Sequence, residues 1–302
     1  MPELPEVETV RRILHPVIVG QAIQGITLGT FPEVIGSTME GLDPVALLIG
    51  QSFTDTSRRG KYLILHLDNG LYLIVHLRMT GRLLLIPSID PPVRFQYVAI
   101  HLGNGLDLRF GDQRKFGRLI LSTPDDVTQL DRRLGPEPFA SSLNASTLRA
   151  VLANRPGKIK NALLDQGVIA GLGNIYVDEA LYRARIHPER PSNTLAVDEL
   201  KRVLRAVRLV LNQSLARQGT TFSSFENPYG EQGTNASFLR AYGRASAGGL
   251  CLRCGAPMER IVVGGRGTTF CPRCQVNRIP SPNPQELDGE SSSTRLPNGS
   301  NS

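Results

Sequence analysis

The sequence predicts a multidomain α+β protein: an antiparallel β-sandwich or barrel with flanking helices, then a helical domain, then a small zinc ribbon. Three observations predict it. Asn69-Gly70 and Asn104-Gly105 each separate alternating apolar runs early in the chain. The apolar period becomes helical after a segment rich in Pro, Gly and Ser. All four cysteines fall between 251 and 274, as two CxxC pairs. The chain has 302 residues, 40% hydrophobic and 20% charged. That suffices for about two domains with packed cores.

The elements follow in order. Val7, Val10, Leu14 and Val17 fall at helical spacing, and Pro5 suits a first turn, so 5–18 reads as a helix. Leu63, Leu65 and Leu67 alternate with Tyr62, Ile64 and His66; Asp68-Asn69-Gly70 turns the chain into the run Leu71 to Leu77. Asn-Gly suits a hairpin because both turn residues need positive φ. The pattern recurs at Val98–Leu102, Asn104-Gly105 and Leu106–Phe110, and a further strand is expected at Arg118–Ser122. Strands joined by tight turns favour an antiparallel sandwich or barrel. Leu134 to Ser146 reads as a linker. Leu200, Val203, Leu204, Val207, Leu211 and Leu215 then form one apolar helical stripe. Lys201, Arg202, Arg205 and Arg208 lie largely off it, as a solvated face or a binding face. Residues 276–302 are poor in apolar side chains and rich in Pro, Ser and Asn, the composition of a disordered tail.

There are 34 Lys+Arg against 27 Asp+Glu, a net charge of +7. A basic globular body suits a polyanionic partner, since bound Lys and Arg displace counterions from nucleic acid. No stretch approaches the roughly 18 apolar residues of a membrane helix. The first ten residues carry Glu3, Glu6 and Glu8 with no basic region ahead of an apolar core, unlike a secretory signal. A soluble, cytoplasmic protein is the expectation, and nothing signals an oligomer.

Cys251-Leu-Arg-Cys254 and Cys271-Pro-Arg-Cys274 supply four thiolates at the spacing of a closed tetrahedral Zn²⁺ site. Four sulfurs leave no open position, so such a metal is structural. Two redox-active pairs are the other reading, and neither pair follows a strand in a βαβ pattern. Ile261-Val-Val263 and Thr268-Thr-Phe270 look like short strands joined by Gly264-Gly-Arg-Gly267. Arg266 at that tip is either a phosphate clamp or a solvated charge.

Pro2 becomes a secondary amine if the initiator Met is removed. An α-amino group has a reference pKa of about 8 and is partly unprotonated near neutrality. It can condense with an aldehyde-level carbon to an iminium, and Glu3 and Glu6 stand close by for proton transfer. The same residues also describe an ordinary mobile terminus.

Met1-Pro-Glu-Leu-Pro-Glu-Val-Glu-Thr9 resembles the start of bacterial formamidopyrimidine-DNA glycosylases, the 8-oxoguanine glycosylase/AP lyase family. Arg58-Arg-Gly-Lys-Tyr-Leu63 resembles that family's lysine-bearing strand, His76-Leu-Arg-Met-Thr-Gly81 its methionine loop, and Asp112-Gln-Arg-Lys-Phe-Gly117 its arginine–phenylalanine loop. Leu163-Leu-Asp-Gln166 with Ala170-Gly-Leu-Gly-Asn-Ile-Tyr176 resembles its helix–two-turn–helix element, and Ala241-Tyr-Gly-Arg244 leads into the finger. The resemblance spans residues 2–275 in the family's order. Gly171-Leu-Gly173 lacks the third glycine and the preceding strand of a dinucleotide fingerprint.

The resemblance implies a bifunctional enzyme of base excision repair acting on damaged double-stranded DNA, with one structural Zn²⁺ on Cys251, Cys254, Cys271 and Cys274. Pro2 would attack C1′ of an extruded nucleotide, Glu3 would protonate the sugar ring oxygen, and β- then δ-elimination would cut the strand. Lys61 would serve the phosphate beside the lesion and proton transfer; taken alone it suits a strand-edge charge. Arg266 would contact phosphate and aid the later elimination. Met79, Arg114 and Phe116 would fill the hole left by extrusion, although Met79 and Phe116 singly suit core packing. Asn174, Lys160 and, as a weaker candidate, Arg155 would grip phosphates. A loop over about 219–240 would cover the extruded base.

Some residues depart from the family's pattern. Arg94-Phe95 stands where the family often has Lys-His, so Arg94 is the substitute phosphate contact expected there. Thr80 follows Met79 at a position that varies and can touch the lesion. The expected layout is a catalytic sandwich over 1–134, a linker over 135–146, a helix–two-turn–helix domain over 147–247, a zinc finger over 248–275 and a tail over 276–302. Two other readings are an endonuclease VIII-type relative acting on oxidised pyrimidines and a catalytically silent zinc-ribbon DNA-binding protein. The wedge residues argue against the first, and Pro2, Glu3 and Lys61 against the second.

Overall fold

The structure, a computed structural model, describes residues 2–222 and 225–277; the expected tail from residue 278 onward lies outside them. α1 (Leu4–Ile18) opens the chain as the spacing of Val7, Val10 and Leu14 predicts. Nine strands follow: β1 (Ile23–Leu28), β2 (Ile35–Ser37), β3 (Phe53–Arg59), β4 (Tyr62–Leu67), β5 (Tyr72–His76), β6 (Gly81–Pro87), β7 (Gln96–Leu102), β8 (Leu106–Asp112) and β9 (Arg118–Ser122). Short α2 (Pro44–Leu48) precedes β3, and α3 (Pro124–Arg133) follows β9.

These strands form a four-stranded sheet, β1-β7-β8-β6, and a five-stranded sheet, β2-β9-β5-β4-β3. The two open sheets settle the sandwich over the barrel. Both Asn-Gly hairpins form, but only the glycines take the expected positive φ, +79° at Gly70 and Gly105; Asn69 and Asn104 do not, and their side chains instead accept from Leu71 N and Leu106 N at 3.0 and 3.2 Å. All ladders are antiparallel except β2 on β9, where Ile35–Ser37 runs parallel to Leu119–Leu121. Alternate residues Leu63, Leu65, Leu73, Val75, Val98, Ile100, Leu108, Phe110, Leu119 and Leu121 bury one common core. β1, β2 and β6 carried no sequence expectation, and β3 only at its end, through the resemblance of Arg58–Leu63 to a lysine-bearing strand. Thr54, Asp55, Ser57, Arg58 and Arg59 dilute the apolar pattern of β3, which lies at a sheet edge.

Residues 135–144 form no helix or strand, and α4 (Ala145–Ala153) begins inside the expected linker. Asn144 caps it by accepting from Ser146 N and Thr147 N, both at 3.0 Å. α5 (Ile159–Leu164), α6 (Asn174–Ala184) and α7 (Val197–Leu215) complete the helical domain. The stripe Leu200, Val203, Leu204, Val207 and Leu211 is buried against α4 and α6, while Lys201, Arg202 and Arg205 are exposed. Arg208 instead donates to Pro138 O and Leu143 O, tying the linker down.

α1 joins the two cores. Leu4 packs in the helical core, whereas Val7, Val10, Leu14 and Ile18 pack in the sandwich. The chain's first residues are thus seated at the domain junction. β10 (Glu259–Val263) and β11 (Arg266–Phe270) form the ribbon. Its turn is Gly264-Gly265, at φ +56° and +73°, so Arg266 opens β11 opposite Val263. β11 packs on α6. Among the described residues no helix is long and apolar enough to cross a membrane.

Candidate active site

Pro2 and Glu3 are buried where α1 meets the helical domain. Glu3 N donates to Glu6 Oε2 at 2.8 Å, and Leu4 N to Gly171 O at 3.1 Å. Glu3 Oε1 accepts from Ile175 N at 3.0 Å, in the first turn of α6, where backbone donors favour a carboxylate. Glu3 Oε2 is buried without a partner. Gly173 leaves the room this carboxyl occupies. Burial raises the Glu3 pKa against the opposing charge of Lys61 and the Ile175 N–H. A carboxyl so placed keeps its proton to higher pH than a solvated one and can deliver it.

Lys61 lies in the β3–β4 turn and is only 8% exposed, which excludes a solvated edge charge. Burial lowers its pKa; Glu3 opposes that shift and Arg266 adds to it. Lys61 therefore stands near enough to feel the charges of both Glu3 and Arg266, and Pro2 directly precedes Glu3. An ionic network holds the Lys61 turn. Gly60 N donates to Glu137 Oε1 at 2.7 Å, and Arg58 Nη1 to Gly60 O at 2.9 Å. Arg58 also pairs with Glu8 at 3.2 Å and Glu137 at 2.8 Å. Burial works to raise Glu8, but bonds from Arg11 and Arg12 with the Arg58 charge hold it at about 2.

The expected covering loop is anchored from both sides. Glu6 Oε1 accepts from Thr220 N at 2.8 Å and from Tyr176 OH, which also meets Ser214 and Thr220. Phe225 inserts into the sandwich core, Glu226 pairs with Arg82 at 2.8 Å, and Leu85 N donates to Pro228 O at 2.8 Å.

The sulfurs of Cys251, Cys254, Cys271 and Cys274 lie within 4.8 Å of one another, and none forms a disulfide. Cys251–Cys274 is 3.9 Å and Cys254–Cys271 3.5 Å. Tetrahedral Zn–S bonds of about 2.3 Å require sulfur separations of about 3.8 Å, so this donor set fits one Zn²⁺. The ribbon carries exposed Arg266 toward Lys61 and Asn174. Asn174 Nδ2 donates to Gly267 O at 3.0 Å, so this residue holds the ribbon while standing at the α6 N-terminus.

Lys160 does not present itself to a phosphate. It is fully buried, its ammonium 2.6 Å from Asp178 Oδ1 and 2.7 Å from Thr268 Oγ1. Thr269 N donates to Asp178 Oδ2 at 3.0 Å. A buried ammonium needs an anionic partner, and Asp178 supplies it; the pair bolts the ribbon to α6. Burial is the main cause that raises Asp178, to about 6, even beside Lys160.

Met79 and Phe116 are exposed apolar side chains, 39% and 49%, so neither is core packing. Arg114 lies between them: Nη1 is 3.1 Å from Met79 Sδ, and the guanidinium sits 4.8 Å from the Phe116 ring centre. Arg94 is exposed over Phe95 at 4.6 Å. Arg155 is exposed and paired with Asp165 at 2.6 Å.

Residues 1–119 match the formamidopyrimidine-DNA glycosylase N-terminal domain, 134–226 the formamidopyrimidine-DNA glycosylase H2TH domain, and 248–276 the zinc finger found in FPG and IleRS. The chain belongs to the formamidopyrimidine-DNA glycosylase family. The formamidopyrimidine-DNA glycosylase of Herpetosiphon aurantiacus is 44% identical over 91% of this chain and 100% of its own length. The structure of Lactococcus lactis Fpg with N7-benzyl-Fapy-dG DNA superimposes with a TM-score of 0.83 at 38% identity, covering 91% of this chain and 100% of that one. MutM with carbocyclic 8-oxo-G DNA gives 0.83 at 37%, with the same coverage.

Tyr176, Asp178 and Asp112 hold the site although sequence reading gave them no such role, and Glu6, expected beside Pro2 for proton transfer, has its carboxyl engaged by Glu3 N, Tyr176 OH and Thr220 N. Asp112 had a signal: an Asp two residues before Arg114, ending an apolar run, can accept backbone donors of the turn it opens. Tyr176 and Asp178 had none, since helical spacing does not tell which polar side chain is buried.

Proposed function

We propose that this chain excises oxidised purines from duplex DNA as a DNA glycosylase of base excision repair, and then cleaves the strand as an AP lyase. The observation that supports this reading is Glu3, buried directly after Pro2 and bonded to the first turn of α6, with the buried Lys61 near enough to feel the charges of both Glu3 and Arg266.

Glu3 gives its proton to the sugar ring oxygen as the Pro2 nitrogen attacks C1′; the ring opens, the N-glycosidic bond breaks and the base departs with the proton that the Pro2 nitrogen gives up, leaving an iminium. That cation acidifies the 2′ position, so β-elimination expels the 3′ phosphate and δ-elimination the 5′ phosphate. Lys61 and Arg266 neutralise the departing phosphates. Asn174 and the α6 N-terminus hold a backbone phosphate, with Arg94 and Arg155 as outlying contacts. Met79, Arg114 and Phe116 occupy the gap opposite the unpaired base. Lys160 acts indirectly, through the ribbon. Bound Zn²⁺ supplies the ribbon's rigidity and no chemistry. The same reading makes the protein a monomer and places it in the cytoplasm with the chromosome. It also divides the chain into a catalytic unit over 1–134, a helical unit over 147–247 and a finger over 248–275.

Incision assays on duplexes holding 8-oxoguanine:C, formamidopyrimidine or thymine glycol test this. Cutting at the purine lesions with phosphate on both ends of the gap is expected. Cutting at thymine glycol alone would transfer the chain to the oxidised-pyrimidine reading, and no cutting would leave a DNA-binding protein.

A further inference from the structure

The three wedge side chains come from two loops that cross between the sheets. The Met79 loop leaves β5 in the five-stranded sheet and enters β6 in the four-stranded one. The Arg114–Phe116 loop leaves β8 and returns to β9, crossing the other way. The wedge therefore stands on the seam of the sandwich, where neither sheet alone fixes it.

One carboxylate spans that seam. Asp112 ends β8, pairs with Gly81 at the start of β6, and is 1% exposed. Its Oδ2 accepts from Phe116 N at 2.8 Å and Gly117 N at 2.7 Å. Its Oδ1 accepts from Arg114 N at 3.1 Å and from the Thr80 hydroxyl, whose oxygen in turn accepts from Arg114 N at 3.2 Å. Thr80 belongs to the methionine loop and the other donors to the arginine–phenylalanine loop. A buried carboxylate is stable only if its oxygens are bonded, so these donors fix the relative position of the two loops.

The backbone beside the wedge is held away from its relaxed form. Arg78, just before Met79, has φ +54°, and Lys115, between Arg114 and Phe116, has φ +59°. Side-chain-bearing residues adopt this region only when surrounding bonds impose it. A β-carbon on Gly117 would lie 2.5 Å from Phe110 Cζ and 3.2 Å from Asp112 Oδ2, so the second loop closes tightly on the same carboxylate.

We propose that Asp112, acting through Thr80, is a positioning residue that locks the two loops together, so that Met79, Arg114 and Phe116 enter a duplex as one preformed unit. The role rests on the glycosylase reading. Neither residue takes part in the covalent chemistry: the lock acts on the filling of the duplex gap, so a substrate with no opposite strand does not need it.

Three substrates separate the possibilities: 8-oxoguanine:C in duplex, an abasic site opposite C in duplex, and an abasic site in single-stranded DNA. Thr80→Val removes the Thr80–Asp112 bond between the loops and leaves the Asp112 bonds to its own loop, the Gly81–Asp112 pairing and the exposed Arg114–Met79 contact. It is expected to slow both duplex reactions about tenfold, with single-strand incision and the thermal midpoint unchanged. Thr80→Ser keeps the hydroxyl and should restore the duplex rates. Asp112→Asn should slow the duplex reactions further, and adding Thr80→Val to it should slow them little more. Wild-type duplex rates in Thr80→Val would overturn the lock. Loss confined to 8-oxoguanine would make Thr80 a lesion contact instead, and equal loss on the single strand would make its effect a general one on the reaction centre. If the unaltered protein cut none of the three, the enzymatic reading would fall first, and this role with it.

Discussion

The carboxyl of Glu3 fills the space beside Gly173: a β-carbon placed there would lie 2.3 Å from Glu3 Cδ and 2.4 Å from Oε1. Gly173 is thus part of the acid's binding pocket. Its φ of −136° is open to any residue, so the demand is for room alone. Gly173→Ala should displace Glu3 and slow 8-oxoguanine excision about 100-fold, the usual cost of misplacing a reacting group by about 1 Å. Single-turnover kinetics at saturating protein would measure it.

Glu3 also makes stability depend on pH. Burial raises its folded pKa above the usual 4.5. The folded state then binds more protons than the unfolded one at intermediate pH, so stability falls as pH rises through that window. Glu3→Gln removes this penalty. The variant should melt above the wild type at pH 8, with the difference vanishing below about pH 4.5, and should excise no base. A variant that melts lower at pH 8 would contradict the assigned burial cost.

The Lys160–Asp178 pair should behave as a buried structural bond. Lys160→Ala leaves Asp178 uncompensated and should cost about 3–5 kcal/mol, read by denaturant unfolding. Lys160→Met with Asp178→Leu should recover much of the loss. If Lys160 held a phosphate, Lys160→Ala would weaken DNA binding with stability unchanged.

Arg114 stands exposed between Met79 and Phe116. Arg114→Ala should leave the melting temperature unchanged and relax discrimination among bases opposite the lesion by about 1–3 kcal/mol. Excision rates of 8-oxoguanine paired with C, G, T and A would show the narrowing.

Cys254→Ser breaks the tetrahedral donor set. Metal analysis should find the zinc lost, and duplex affinity should fall, because Arg266 and Gly267 no longer stand over α6. Full affinity without zinc would remove the finger from the binding surface.

Much of this site is legible in the chain because its chemistry needs particular residue types. A secondary amine, paired CxxC knuckles and Asn-Gly turns each carry their reason locally. What stayed hidden depends on long-range packing. Edge strand β3 lacks alternation because Arg58 and Arg59 are spent on Glu8, Glu137 and Asp131. Lys160 resembles a surface phosphate ligand until Asp178, 18 residues away, is seen to neutralise it. Asp112 gains its role only when Thr80, 32 residues earlier, arrives across the seam.

The most direct measurement is borohydride reduction of the protein with an 8-oxoguanine:C duplex, followed by peptide mapping of the cross-linked product by mass spectrometry. The account predicts that the deoxyribose remnant sits on the Pro2 nitrogen of the mature chain. A remnant on Lys61 or any other side chain, or an unmodified first peptide beside efficient strand cutting, would contradict it.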